Sequence, residues 1–262
     1  MSGKEMVRSL QERAARALPA EHVRDVDGWW LRHAPNCSWW VGTVLPHGET
    51  RPGELVRRVV QAEEFYSGRG ADARFQITPD VCPEGLDAVL EGRGYRREDS
   101  VSLQVASVER VLGLVPVERV LGLAPGTPRV RLDDRPTDAW FDAWHAVHGG
   151  DLRSERDMLA RVKGPSAYVC AMTGDEVVAV GRAVADTGWT GVFNMATIPA
   201  ARGKGAARTV LAALAGWGES QNADRMYLQV EHGNGPAIRL YERSGFSEVS
   251  AYHYRTATAS GR

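Results

Sequence analysis

The chain has 262 residues, 43% of them hydrophobic and 25% charged, and its formal net charge is −1. Such a composition suits a globular chain able to bury one large or two modest cores, and the near-zero charge excludes any broad pull toward nucleic acid or an anionic membrane. Cys37, Cys82 and Cys170 are scattered with no Cys-x-x-Cys pair, so a disulfide framework and a cysteine zinc site are not expected, and a reducing, cytoplasmic compartment is.

The first twenty residues carry an amphipathic helix pattern without the apolar run of a signal peptide, and no later segment approaches the ~20 apolar residues of a membrane span. Residues 29–33 and 38–44 read as strands around a turn at Pro35-Asn36. A helix follows, with Leu55, Val59, Ala62 and Tyr66 on its inner face and Pro52 near its start. Residues 74–78 then read as a strand, 83–90 as a helix stopped by Gly94, and 101–105 as a strand. Two near-identical nine-residue units, 108–116 and 117–125, come next; each ends in proline, which limits any helix to about two turns, and they read as a duplicated linker.

Residues 129–132 open the second half as a strand. Thr137-Asp138 can cap a helix whose stripe is Trp140, Phe141, Trp144 and Val147, and the loop Gly149-Gly150-Asp151 leads to a helix over residues 154–162. Strands at 167–172 and 177–185 flank a turn at 173–175. His145 and His148 stand three apart, but no Asp or Cys joins them in a recognised ligand pattern, so no metal is expected.

Residues 194–207, NMATIPAARGKGAA, run from a strand through a small-residue turn into a helix on which Val210, Leu211, Leu214 and Trp217 recur at helical spacing. Backbone N–H groups in such a turn, at the positive end of a helix dipole, favour an anion, most simply a pyrophosphate. A Walker loop is excluded because Gly205 follows Lys204 where Ser or Thr is needed, and the dinucleotide fingerprint fits poorly because Arg208 stands at its third glycine. The segment resembles the acyl-CoA pyrophosphate loop of the GNAT superfamily of N-acyltransferases, with Arg202, Gly205 and Ala207 at its signature positions. Downstream, residues 227–230 read as a strand and 237–243 as a short helix ended by Gly245. The string NGPAIRLYERSGF is similar to the second half of the GNAT acyl-CoA site. Its Asn234 and Tyr241, seven residues apart, share one helix face about 10 Å apart along the axis.

Sliding the two halves by 153 residues sets Pro46 on Pro199, residues 75–77 on 228–230 and Pro83 on Pro236; an offset of 151 then sets Gly94-Tyr95 on Gly245-Phe246 (245 − 94). This spacing predicts an internal duplication. By the same offset Glu49, Thr50, Arg51 and Pro52 meet residues 202–205, and Val81 and Ala88 or Leu90 meet Asn234 and Tyr241, so the first copy lacks the chemistry. The expected fold is α/β: two GNAT-like mixed-sheet units in tandem, a degenerate one with its linker over 1–127 and a complete, catalytic one over 128–262.

Acyl transfer from a thioester to an amine needs a held carbonyl, an unprotonated amine and a proton for the departing thiolate. The resemblance implies acetyl-CoA as donor and a primary amine of a small molecule or peptide as acceptor, joined by direct attack. Met195, Ala196 and Thr197 would receive the pantetheine arm through their backbone, and Arg202, Gly203, Lys204, Gly205, Ala206 and Ala207 the pyrophosphate. Tyr241 is the proton donor that the resemblance implies. Asn234 is expected to cap its helix and bond the pantetheine or a water, and Glu231 is the first candidate base, with Asp151 or His148 behind it. Neither a nucleic acid nor a membrane partner is expected. Two rivals use the same residues differently: an aminoacyl-tRNA-dependent transferase, and a non-catalytic acetyl-CoA sensor.

Overall fold

The computed structural model describes residues 2–98, 100–114 and 127–257. The second nine-residue unit and the end of the first lie outside the described residues; the first unit begins as a short helix capped by Ser107.

In the first half α1 (Gly3–Ala17) precedes β1 (His22–Val26), β2 (Trp29–His33), β3 (Val44–Pro46), α2 (Leu55–Ser67), β4 (Arg74–Ile77), α3 (Leu86–Gly92), β5 (Arg96–Arg97), β6 (Val101–Ser107) and α4 (Val108–Gly113). The second half runs β7 (Arg129–Asp133), α5 (Asp138–His148), α6 (Leu152–Ala160), β8 (Ser166–Thr173), β9 (Glu176–Asp186), β10 (Trp189–Thr197), α7 (Ala206–Ser220), β11 (Arg225–Glu231), α8 (Gly235–Arg243) and β12 (Ser247–Thr256). No helix among the described residues is long and apolar enough to cross a membrane.

Residues 38–41 do not form the expected strand. Trp39–Val41 make a turn of 3₁₀ helix, and the Ser38 N–H and hydroxyl both donate to Glu155 Oε1, at 2.9 and 2.7 Å, which draws this segment out of the sheet toward α6. Helix α6 itself starts two residues earlier than its apolar pattern implies, because the Asp151 carboxylate accepts from Ser154 N at 2.7 Å and so caps it.

All the strands join one mixed sheet in the order β1-β2-β3-β4-β12-β6-β11-β10-β9-β8-β7, with β5 on β12. The halves interlock: β6 lies between β11 and β12, and β12 lies between β6 and β4. A cut of the chain at residue 127 therefore does not coincide with a division of the sheet.

The ladders carry the duplication. Phe75 pairs with Arg255 and Leu228 with Gln104; the first member of each pair is related by 153 residues (228 − 75) and the second by 151 (255 − 104). Ile77 with His253 and Val230 with Ser102 repeat the relation, so the two halves are arranged about a local two-fold through the β6–β12 ladder. Upstream of β4 the offset fails. Val44 pairs with Phe75 and Gly191 with Tyr227, leaving 31 residues (75 − 44) between partners in the first half and 36 (227 − 191) in the second. Between its paired positions the second half has five more residues than the first, and its bulged strand β10 lies within that stretch.

Alternation along β11 separates two packed layers. Met226 and Leu228 face Val210, Leu211 and Leu214 of α7, while Tyr227 faces Val7, Leu10 and Ala14 of α1. Each fully buried Leu or Val in these layers contributes roughly 1.5–3 kcal/mol over its exposed state. Helix α5 adds Trp140, Phe141 and Trp144 against Tyr168, Cys170 and Val180.

Candidate active site

Strands β10 and β11 are parallel and paired only over Trp189–Gly191. Beyond that point β10 bulges between Phe193 and Ala196, with Asn194 at φ 52° and its side-chain oxygen accepting from Arg182 Nε at 2.9 Å. The strands then part. Ala196 and Thr197 keep their ladder with β9, so their other edge is left without a strand. At the start of the pairing, Gly191 permits the closeness: a Cβ there would lie 2.6 Å from the Tyr227 ring.

The turn after β10 brings Gly203 (φ 76°) and Gly205 (φ 88°) into left-handed backbone that favours glycine. Gly205 is the N-cap of α7, and the first bond of that helix runs from Thr209 N to Gly205 O at 3.1 Å. The N–H groups before Thr209 have no carbonyl inside the helix to meet, so they point outward from its N-terminus.

A groove of about 660 Å³ joins this helix start to the gap between the strands. It brings together Met195, Ala196, Thr197, Arg202, Gly203, Gly205, Ala206, Ala207, Asn234 and Tyr241, all of which the sequence singled out. Lys204 and Glu231 are exposed and do not line it. Asp151 is engaged as the α6 cap, whose N–H bonds lower its pKa. His148 does line the groove, its Nε2 3.2 Å from the Met195 carbonyl, whereas His145 Nε2 meets Gly150 O at 3.2 Å. The two histidines thus serve different carbonyls, and among the described residues no group of three metal-ligating side chains occurs.

Sequence reasoning missed Arg208, Arg239 and Arg243, which join Arg202 in the groove lining. Their spacing was a usable signal: Arg208 lies in the first turn of α7, and Arg239 and Arg243, four apart, share a face of α8. Arg208 Nη2 donates to Arg243 O at 3.2 Å, tying the two helix ends together. Among the described residues lining the groove none is acidic, so four guanidiniums and a helix N-terminus set its charge.

Tyr241 is 7% exposed and packs edge-on to Phe246 at 5.9 Å, and burial pushes its phenol up to about 12. It is a protonated donor at neutral pH. Asn234 caps α8 by accepting from Ala237 N at 3.2 Å, which leaves its amide NH₂ free to serve the groove.

A splayed parallel strand pair, a glycine-rich helix start and a buried tyrosine along one groove define a GNAT N-acetyltransferase, and comparison with known proteins agrees. Residues 5–255 match the family described as "Probable histone acetyltransferase Rv0428c C-terminal", and the chain belongs to that family. It is 25% identical to the uncharacterised N-acetyltransferase YobR of Bacillus subtilis (strain 168), over 95% of this chain and 98% of that one. Its fold is shared by a GCN5-related N-acetyltransferase from Kribbella flavida (TM-score 0.72, 16% identity, 97% and 95% of the two chains covered). A tandem GNAT protein from the clavulanic acid biosynthesis pathway shares it as well (TM-score 0.66, 13% identity, 100% and 89% covered). The chain is an acyltransferase of tandem GNAT architecture.

Proposed function

We propose that the chain transfers an acetyl group from acetyl-CoA to a primary amine of a small molecule or peptide by direct attack, in the cytoplasm, and that the second half is the catalytic one. The observation that carries this reading is the single groove linking the outward-pointing amides of α7 to the Tyr241 ring through the gap between β10 and β11. The residues fit the donor: the amides at Gly205–Arg208 and the guanidiniums of Arg202, Arg208, Arg239 and Arg243 suit its phosphates, and the free edge of Met195–Thr197 suits its amide-bearing arm. Acetyl-CoA, when bound, supplies an acyl group activated as a thioester.

The chain's own residues supply the remaining chemistry. Tyr241, kept protonated by burial, gives its proton to the departing thiolate. His148, whose Nε2–H is held by the Met195 carbonyl, takes the proton of the incoming amine on Nδ1; its place in the groove lining favours it over Glu231, which stands outside the groove. A covalent acyl-enzyme is disfavoured because burial pushes Cys37 up to about 11 and Cys82 to about 12, so neither is a thiolate, and no cysteine is among the described groove residues. In the first half, α2 begins at Glu54 without a side-chain cap bond, and a carboxylate there suits an anion poorly, which supports reading that half as degenerate.

The test is thiol release from acetyl-CoA across a panel of amines, with Tyr241→Phe in parallel. Turnover with at least one amine, and a Tyr241→Phe kcat reduced by roughly 10²-fold with binding retained, supports the reading. Binding of acetyl-CoA without turnover on any amine makes the protein a sensor, and turnover only with charged tRNA makes it an aminoacyl transferase.

A further inference from the structure

A second cavity, of about 790 Å³, lies at the paired end of β10 and β11 and shares no residue with the groove. It is lined by the end of α1, the β1–β2 hairpin, the turn after α6 and the β9–β10 turn.

Three arginines from separate elements converge beside it on consecutive carbonyls at the end of α1. Arg182 Nη2 donates to Ala17 O at 2.9 Å, Arg32 Nη2 to Leu18 O at 3.3 Å and Arg161 Nη2 to Pro19 O at 3.3 Å. A helix C-terminus attracts cations, but those bonds use only part of each guanidinium. Arg32 Nε, Arg161 Nε and Arg182 Nη1 are buried with no hydrogen-bond acceptor among the described residues, although Arg32 is only 4% exposed and Arg182 fully buried. Arg32 and Arg161 both line the cavity.

The charges facing this space do not balance. Arg13, Arg16 and Lys163 line it as well, and the acid among its lining residues is Asp186, which is already held by Arg13 at 2.7 Å and Arg16 at 3.1 Å. The remaining walls are apolar, with Val23, Trp30, Pro165 and Val184 around the space. Val23, at the edge hairpin, is 58% exposed.

We propose that this cavity binds a small organic anion, an apolar body bearing a carboxylate or a phosphate, with its anionic end on Arg32 and Arg161 and its body between Val23 and Trp30. The anion offsets the positive charge of the lining that Asp186 does not match. The apolar walls distinguish this ligand from inorganic phosphate, and the unmatched guanidiniums distinguish it from a neutral hydrophobe.

The full chain is titrated by calorimetry with 3-phenylpropionate, phenyl phosphate and the neutral 3-phenylpropanol. Saturable binding of either anion and none of the alcohol is expected, and which anion binds tells the carboxylate from the phosphate. Arg161→Gln and Val23→Glu should each weaken that binding by roughly tenfold or more while acetyl-CoA titrations stay unchanged. Val23 is exposed, so its variant keeps the test open should Arg161→Gln fail to fold. No saturable heat with either anion, equal binding of the alcohol, or undiminished binding in the folded variants overturns the proposal.

Discussion

Val101 and Tyr252 face each other across the β6–β12 ladder, and each is the other's counterpart in the duplicated chain, 151 residues away (252 − 101). A pair related to itself in this way lies on the local two-fold, so the last strand of each half completes the sheet of the other. Separate expression of residues 1–127 and 128–262 should accordingly yield two unstable fragments, because β11 and β4 each lose a partner strand and expose an edge. Circular dichroism of each fragment alone, and size exclusion of the mixture, checks this. A cooperative melt from 128–262 alone would show that the exchange is dispensable.

The Tyr241 phenol, raised by burial to about 12, stays protonated through the ordinary alkaline range. The kcat profile should therefore show no falling limb below about pH 10, whereas a phenol of ordinary pKa would begin to lose its proton there. A rising limb from the amine substrate should remain. His148→Gln should cost more at neutral pH than at high pH, where the amine sheds its own proton, and parallel profiles of the two enzymes would remove His148 from the base role.

Arg239 reaches the groove from the exposed face of α8 with no ion-pair partner among the described residues. Arg239→Ala should raise the KM for acetyl-CoA by roughly fivefold to tenfold and leave kcat nearly unchanged, since a phosphate contact is made equally in the ground and transition states. The gap should narrow as salt rises.

Glu12 on α1 meets the buried His47 ring after β3, Oε1 to Nδ1 at 3.4 Å, and also Arg8 at 2.8 Å. The His47 contact, then Arg8, hold its carboxyl down at about 2. A depressed carboxylate stabilises the fold above its unfolded value near 4.5 and loses that contribution as pH falls toward 2. Burial also lowers the His47 pKa, so stability drops as pH falls below 6.5, in the same direction. Glu12→Gln should cost about 1–2 kcal/mol at pH 7 and much less at pH 3, read from urea melts at both pH values.

Much of this was legible in the chain because its signals are local. Thr137 and Asn234 cap the helices their side chains announce, and Gly205 stands where left-handed backbone is required. Strand β1, HVRDV, escaped because it is an edge strand exposed on nearly every residue and has no apolar alternation. Trp39, Trp40 and Val41 have strand-like side chains, yet Ser38 is claimed by Glu155 from 117 residues away, which no local pattern records. The bulge at Asn194 and the exchange of β6 and β12 are likewise long-range. The exchange was present in the sequence only as an offset, whose meaning needed the ladders.

The central claim is that the main-chain amides at the start of α7 hold the donor's diphosphate. Calorimetry of acetyl-CoA with Gly205→Asp tests it most directly, because the new carboxylate stands at the helix N-terminus and competes for those amides while a melting curve reports the fold. The account predicts a folded protein that no longer binds acetyl-CoA measurably; a folded variant with undiminished affinity would contradict it.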